Sequence, residues 1–504
     1  MSMEINTNVA ALNAQLAQSR TNETMETSMQ RLSTGKKINS ASDDAAGMAI
    51  AARMESQIKG LTMAVKNAGD AQSLIDTAEG AHQEISNILQ RMRELAIQSA
   101  NDTNLASERT SLNTEVTNLK AEIDRIANQT SWNGIKVING DFSSKQFHIG
   151  AEALQTISVS IDSSKSSDIG SYSLQGTAHA NNVASAISGA DLTIEGHLGS
   201  KTVTVDEDDS AYDVASAING QTGSTGVSAT AVTKAKLSGL ESGAGSVSFT
   251  LTTGDGTASI SATPTTVNDL GALRDAINAK SGITGVTATY NGNTKSELIL
   301  TQSAGKNIAI TSFDTGTDDK DLIVTALDKD GNAETSSTLN DTATAGGEAA
   351  LATVTGQLSL NSIKTFTVTG DDTTAKQGFF AVDATYAPGA TTGGGTAEIS
   401  AISSLDISTS TGANNAIVAI DGALDKINAA RGALGAVSNR LDYTLNNLGT
   451  IKVNTEASLS RIEDADFAVE TSNLTKSQIL SQAATAMLAQ ANASKQSVLS
   501  LLQG

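Results

Sequence analysis

The chain reads as a nested architecture. Mainly α coiled-coil ends, with the N- and C-terminal helices paired, enclose a β-rich, α+β inserted outer region. Three observations predict this. From Asn415 onward, Ile417, Ile420, Leu424, Ile427, Leu434, Leu441, Leu445, Leu448, Leu459 and Ile462 keep one alternating three–four register, the narrow seam of a coiled coil. Similar runs fill the amino-terminal end as far as Ile126. Between about 177 and 404 the runs vanish, and Gly, Ser, Thr and Ala dominate.

Taken in order, residues 1–40 form an amphipathic helix candidate. Val9, Leu12 and Leu16 share one register, and Met25, Met29 and Leu32 share another. Gly35 is the expected stop. Ser42-Asp43-Asp44 marks the next start, a serine cap with carboxylates near the positive end of the dipole. Met54, Ile58, Leu61, Val65, Ala68, Gln72 and Ile75 then hold the spacing, which is expected to slip near Gly80. It resumes through Ala78, His82, Ile85, Leu89, Met92 and Ala96. Asn101-Asp102-Thr103-Asn104 is a polar break. A third helix carries Leu112, Val116, Leu119, Ile123 and Ile126.

Asn133-Gly134 and Asn139-Gly140 are turn signals, followed by a strand in which Ile157, Val159 and Ile161 alternate with serines. The insert holds an internal repeat. Asp213 to Asn219 with Thr225-Gly226-Val227 matches Leu273 to Asn278 with Thr284-Gly285-Val286, at a constant offset of 59 residues. Each copy reads as a strand pair, a short helix ending in Ala-Ile-Asn, and a further strand. Duplicated α+β modules are expected over about 190–245 and 246–313. At the carboxyl end the seam returns at Leu480, Ala484, Met487, Ala491, Ser494, Val498 and Leu501. Seams this long must pack on helices of this chain, of neighbouring copies, or both.

The composition narrows the function. The 504 residues carry a net charge of −21, which argues against nucleic acid and anionic membrane surfaces as partners. No apolar run approaches a membrane span, and Met1 to Asn8 has no basic, apolar signal pattern, so no cleaved signal peptide is expected. Cysteine is absent, which excludes disulfides and thiolate chemistry. Only two prolines, Pro264 and Pro388, occur, both in the middle, and aromatics are 3%. The core must come from Ala, Leu, Ile and Val, as suits long, closely approaching helices.

No catalytic constellation emerges. His82, His148, His179 and His197 are scattered outside any zinc spacing, and no phosphate-binding glycine loop or cofactor motif is present. His82 is expected to pack. Asp206-Glu207-Asp208-Asp209 and Asp328-Lys329-Asp330-Gly331-Asn332 carry calcium-type oxygens without a complete loop, so solvated turns are the preferred reading. Neither an enzyme nor a cofactor is expected.

The ends carry denser motifs. Ile5-Asn6-Thr7-Asn8, Arg31-Leu32-Ser33-Thr34-Gly35, Asp43-Asp44-Ala45-Ala46-Gly47 and Gln90-Arg91-Met92-Arg93-Glu94-Leu95-Ala96 stand at one end. Ser438-Asn439-Arg440-Leu441, Ser460 to Asp466 and Leu488-Ala489-Gln490-Ala491-Asn492 stand at the other. In these the chain resembles bacterial flagellin over roughly 1–176 and 405–504, and the repeat resembles modules inserted in flagellins and hook-associated proteins.

The resemblance implies a layout. Residues 1–45 and 465–504 would form an inner coiled coil. Residues 46–176 and 405–464 would form a helical tube domain with a β-hairpin near 140–176, and 177–404 would project outward. It also implies a helical homopolymer, a flagellar export chaperone at about Asp464–Gly504, contacts with hook-associated junction and cap proteins, and export without a cleaved signal. Leu12, Leu16, Ile58, Leu61, Leu89, Leu424, Leu441, Leu445, Leu448, Met487 and Leu501 are the expected subunit-packing seam. Gln90, Arg91, Leu95 and Glu115 match positions that a vertebrate innate immune receptor reads in this family. Arg91 and Leu95, four apart, would share one face; the same residues would equally serve subunit packing. A hook–filament junction protein is the alternative function.

Overall fold

A computed structural model describes residues 7–182, 191–206, 208–240, 245–264, 266, 268–292, 294–316, 320–340, 351–370, 379–380 and 394–503. Ile5-Asn6, Glu207, Pro388 and the side chains of Val498 and Leu501 lie outside the described residues. In chain order the helices are α1 (Val9–Thr34), α2 (Ala45–Ala100), α3 (Ala106–Gln129), α4 (Ala211–Gly220), α5 (Thr222–Thr225), α6 (Gly271–Asn278), α7 (Ser281–Thr284), α8 (Ser410–Glu463) and α9 (Phe467–Gln503). The ends are helical and the middle is β-rich. Among the described residues no helix is long and apolar enough to cross a membrane.

The chain divides into two compact units. The first comprises 1–77, 143–160 and 433–504. Here α1 packs along α9. Gly35, in the left-handed conformation, closes α1 with its N–H on the Arg31 carbonyl. The cap of α2 falls on Asp44, which accepts from the Gly47 N–H, not on Ser42. Asp43 instead accepts from the Asn39 and Ser40 amides, which hold its carboxyl below the usual range. The β-hairpin is shorter than the expected 140–176. It pairs Lys145–His148 with Thr156–Val159, because strand Gly170–Gln175 is taken up by a different sheet.

The second unit comprises 78–142 and 161–432. Its helical part holds the later part of α2, α3 and the start of α8, with Arg91 of α2 bridged to Glu115 of α3, and Arg93 and Glu79 of α2 bridged to Asp421 and Arg431 of α8. Asn133 and Gly134, both at positive φ, make the expected turn between Ser131–Trp132 and Ile135–Lys136. The buried stripe of α2 runs Leu61, Ala64, Ala68, Ala71, Ile75, Ala78, His82, Ile85, Leu89, Met92, Ala96 and Ser99. The expected slip near Gly80 does not occur. Ala64 and Ala71 fill places the sequence reading gave to Val65 and Gln72, and with them the three–four spacing is unbroken.

The two repeat copies share one construction. A hairpin (Leu192–Gly196 with Gly199–Val203, and Val247–Thr252 with Thr257–Ala262) precedes a helix, a single helical turn and a strand. In each, an Asn in the last turn of the helix clamps that strand. Asn219 accepts from the Ala229 N–H at 2.8 Å and donates to its carbonyl at 2.8 Å. Asn278 does the same with Ala288 at 2.8 and 2.9 Å. Ile218 and Ile277, one residue earlier, are buried in the two hydrophobic cores of the insert.

Candidate assembly surface

The relevant surface is carried by α1 and α9. The face of α1 turned to α9 bears Ala11, Ala14, Gln18, Thr21, Met25, Ser28 and Leu32; that of α9 bears Leu474, Ser477, Ser481, Ala484, Leu488 and Ala491. Most of these are small or polar. Side-chain bonds cross the pair from Gln18 to Thr485 (3.1 Å), Ser481 to Asn22 (3.4 Å) and Asn8 to the Ala491 carbonyl (3.2 Å). Arg31 and Glu470 meet at 3.1 Å, with Arg31 Nε and Glu470 Oε2 left buried and unpartnered.

Four larger apolar side chains, Met25, Leu32, Leu474 and Leu488, lie in this contact, but most of the large apolar side chains of the two helices stand outside it. Leu12 is 56% exposed, Leu16 52% and Met487 65%. Val9, Met29, Phe467, Val469, Ile479 and Leu480 are exposed as well. Phe467, Thr471, Ile479 and Leu480 line a shallow apolar groove on α9. Small residues inside let the two axes approach, while bulky residues outside remain free to be buried by other helices.

The other seam residues divide. Leu61 and Leu448 form a buried cluster with Ala64, flanked by Val65 and Ala151. Leu441 and Leu89 are fully buried. Ile58, Leu424 and Leu445 are half-buried. Leu501 lies on α9, its side chain outside the described residues.

Leu95 is 1% exposed and does not share an open surface with Arg91. The two are four apart on α2, but the rotation over four residues turns Leu95 under the neighbouring elements. Gln90 and Arg91 are exposed, and Arg91 bridges Glu115 on α3 at 2.9 Å and Glu94 at 3.0 Å. Those two carboxylates raise the Arg91 pKa further.

The acidic turns use their own oxygens. Asp328 accepts from the Asn332 amide and side chain, and Asp330 pairs with Lys329 and Asn415. Among the described residues, no group of three potential ligands converges on a metal position. His82 is buried, with Nε2 at 3.1 Å from the Ser164 hydroxyl. Burial pushes its pKa down to about 4, with Arg431 adding to the effect and Glu79 opposing it.

Of the inner face of the α1–α9 pair, periodicity marked only Met25, Leu32, Ala484 and Ala491. Ala11, Ala14, Gln18, Thr21 and Ser28 keep the same three–four spacing as Met25 and Leu32, but their residue types did not mark them.

Comparison with known proteins matches residues 5–143 to the bacterial flagellin N-terminal helical region and 417–502 to the bacterial flagellin C-terminal helical region. Residues 191–239 and 246–304 match the flagellin hook IN motif. The B-type flagellin of Pseudomonas aeruginosa is 38% identical, with both chains covered in full. Flagellin A of Vibrio anguillarum and flagellin D of Vibrio cholerae are 33% and 32% identical, also over 100% of each chain.

Proposed function

The chain belongs to the bacterial flagellin family, a family of structural subunits of the extracellular flagellar filament, and from that membership we propose that it leaves the cell unfolded through the flagellar type III system and polymerises head to tail into a filament that drives motility. The observation that carries the reading is the outward placement of Leu12, Leu16 and Met487 on a helix pair whose inner face is mostly small and polar. Each such side chain contributes about 1.5–3 kcal/mol when fully buried, and in the free chain much of that is unrealised. Heterologous contacts give open helical polymers, and burial by neighbours offsets the cost of ordering the ends.

In this reading 1–45 with 465–504 line the filament channel, 46–176 with 405–464 build the tube, and 177–404 face outward. An export chaperone covers the apolar groove of α9 before export, and junction and cap proteins meet the same helical ends. An innate immune receptor reads Gln90, Arg91 and Glu115, with Leu95 supporting the surface from beneath.

The test is seeded assembly of dissociated full-length protein, followed by sedimentation and negative-stain microscopy. A Met487→Asp variant and a chain lacking Asp464–Gly504 are run beside it. Filaments from the parent alone are expected. A parent that stays monomeric with seeds would instead favour a hook–filament junction protein, and polymerisation of both altered chains would overturn the role given to α9.

A further inference from the structure

Within the second unit, a cavity of about 160 Å³ lies between the start of α8 and the polar face of a sheet. The sheet face follows from strand alternation. Along Gly170–Gln175, Tyr172 and Leu174 pack on the hydrophobic core, so Ser171 and Ser173 point the other way. Ser173 is paired with Asn361, and Ser171 with Ser400, so all four join one floor. The helix touches the sheet at Gly422, whose missing side chain leaves room for Ser171. It is anchored again at Asn415, which donates to Asp330 at 2.8 Å and accepts from Lys329 at 2.8 Å. The cavity opens between these two anchors, walled on the helix side by Val418 and Ala419.

Three properties define what fits. The hydroxyls of Ser171, Ser173, Ser359 and Ser400 and the Asn361 amide have no hydrogen-bond partner among the described residues. They offer both donors and acceptors. The opposite wall is aliphatic. The charges at the rim, Lys329 and Asp330, neutralise each other at 3.1 Å. An ion would meet no net opposite charge, and an apolar ligand would leave the floor hydroxyls unpaired. A ring with a hydroxyl-bearing edge and a C–H face satisfies both walls. The volume lies below the roughly 300–1,000 Å³ of drug-sized pockets, at the scale of one such ring.

We propose that this cavity binds a single pyranose ring of a neutral sugar, with its hydroxyls on the serine-rich floor and its C–H face on Val418 and Ala419. The inference is independent of filament assembly. With no aromatic platform, binding is weak, in the millimolar range.

The experiment is saturation-transfer NMR on freshly dissociated full-length protein with D-glucose, and separately with methyl β-D-glucoside. Transfer to the ring protons is expected. Ser173→Val and Asn361→Val sit on separate strands and suit strand geometry. Each should weaken binding about three- to tenfold, the loss of one or two hydrogen bonds, with an unchanged circular dichroism spectrum. Gly432→Ala, away from the cavity, should bind as the parent does. Binding of glucose but not the glycoside assigns a free sugar; binding of both assigns the terminal residue of a glycan. No transfer to either probe, or undiminished transfer in both folded variants, overturns the proposal and leaves the cavity to water.

Discussion

The Ala465 N–H donates to the Gly35 carbonyl at 2.9 Å, joining the break between α1 and α2 to the break between α8 and α9. Around it the Lys37 N–H reaches the Glu463 carbonyl at 2.6 Å, Lys36 bridges to Asp464 along the backbone, and the Lys36 ammonium pairs with Glu463. Two segments more than 400 positions apart in sequence are thus fastened where both change direction. Gly35 holds φ at +71°, with open space where a side chain would go. Gly35→Ala therefore tests backbone strain without a clash. A loss of about 1–2 kcal/mol is expected, read as faster hydrogen exchange at the Ala465 amide. Unchanged exchange there would show that the joint does not depend on the left-handed residue.

Two glycines of α8 should respond with opposite signs. A Cβ on Gly422 would lie 2.7 Å from the Ser171 Cβ and 2.8 Å from its Cα, whereas one on Gly432 meets nothing within 4 Å. Helix propensity alone favours alanine by about 1 kcal/mol at either site. Gly432→Ala should stabilise the fold by about that amount, read as a higher urea midpoint at unchanged m. Gly422→Ala should lower it, since overpacking against backbone costs about 1–3 kcal/mol.

The paired clamps of Asn219 and Asn278 predict matched effects. Removing either side chain strands a strand N–H and carbonyl, at about 1–3 kcal/mol. Asn219→Ala and Asn278→Ala should expose their own modules to limited proteolysis, each cutting first in the module that carries it. Identical cleavage maps would show that the two modules do not unfold separately.

His82 predicts a pH dependence. Its folded pKa, about 4, lies below the ordinary 6.5, so between those values the unfolded chain binds more protons than the folded one. Stability from this site is present above about pH 6.5 and is lost as pH falls toward 4, by on the order of 3 kcal/mol. His82→Leu should flatten that part of the urea-midpoint profile, leaving the carboxylate contribution at lower pH. A parallel profile in the variant would place the dependence elsewhere.

Much of the fold was legible because it is local. The stop at Gly35, the break at Asn101 to Asn104 and the turn at Asn133-Gly134 follow from backbone preferences of a few residues. The repeat at an offset of 59 announced its construction before any contact was known. Periodicity likewise placed the helices and put Leu61, Leu89, Leu441 and Leu448 on an apolar seam, expected to pack between subunits; that this chain itself buries all four was decided by the tertiary structure.

What the sequence by itself determined is therefore which segments are helical, where they stop, and that their seams need partners. The tertiary structure decided which partner each side chain meets. Leu12, Leu16 and Met487 share their helices with Ala11, Ala14, Ser481 and Ala484, and adjacent faces of one helix carry equally regular spacing. Side-chain size settled the matter only once α1 and α9 were side by side. Small residues permit close axes, so most of the contact is made by them and by Met25, Leu32, Leu474 and Leu488, while Leu12, Leu16 and Met487 turned outward. The burial of Leu95 and the hydroxyl-lined cavity beneath α8 arise in the same way, from distant segments brought together, which no local pattern encodes.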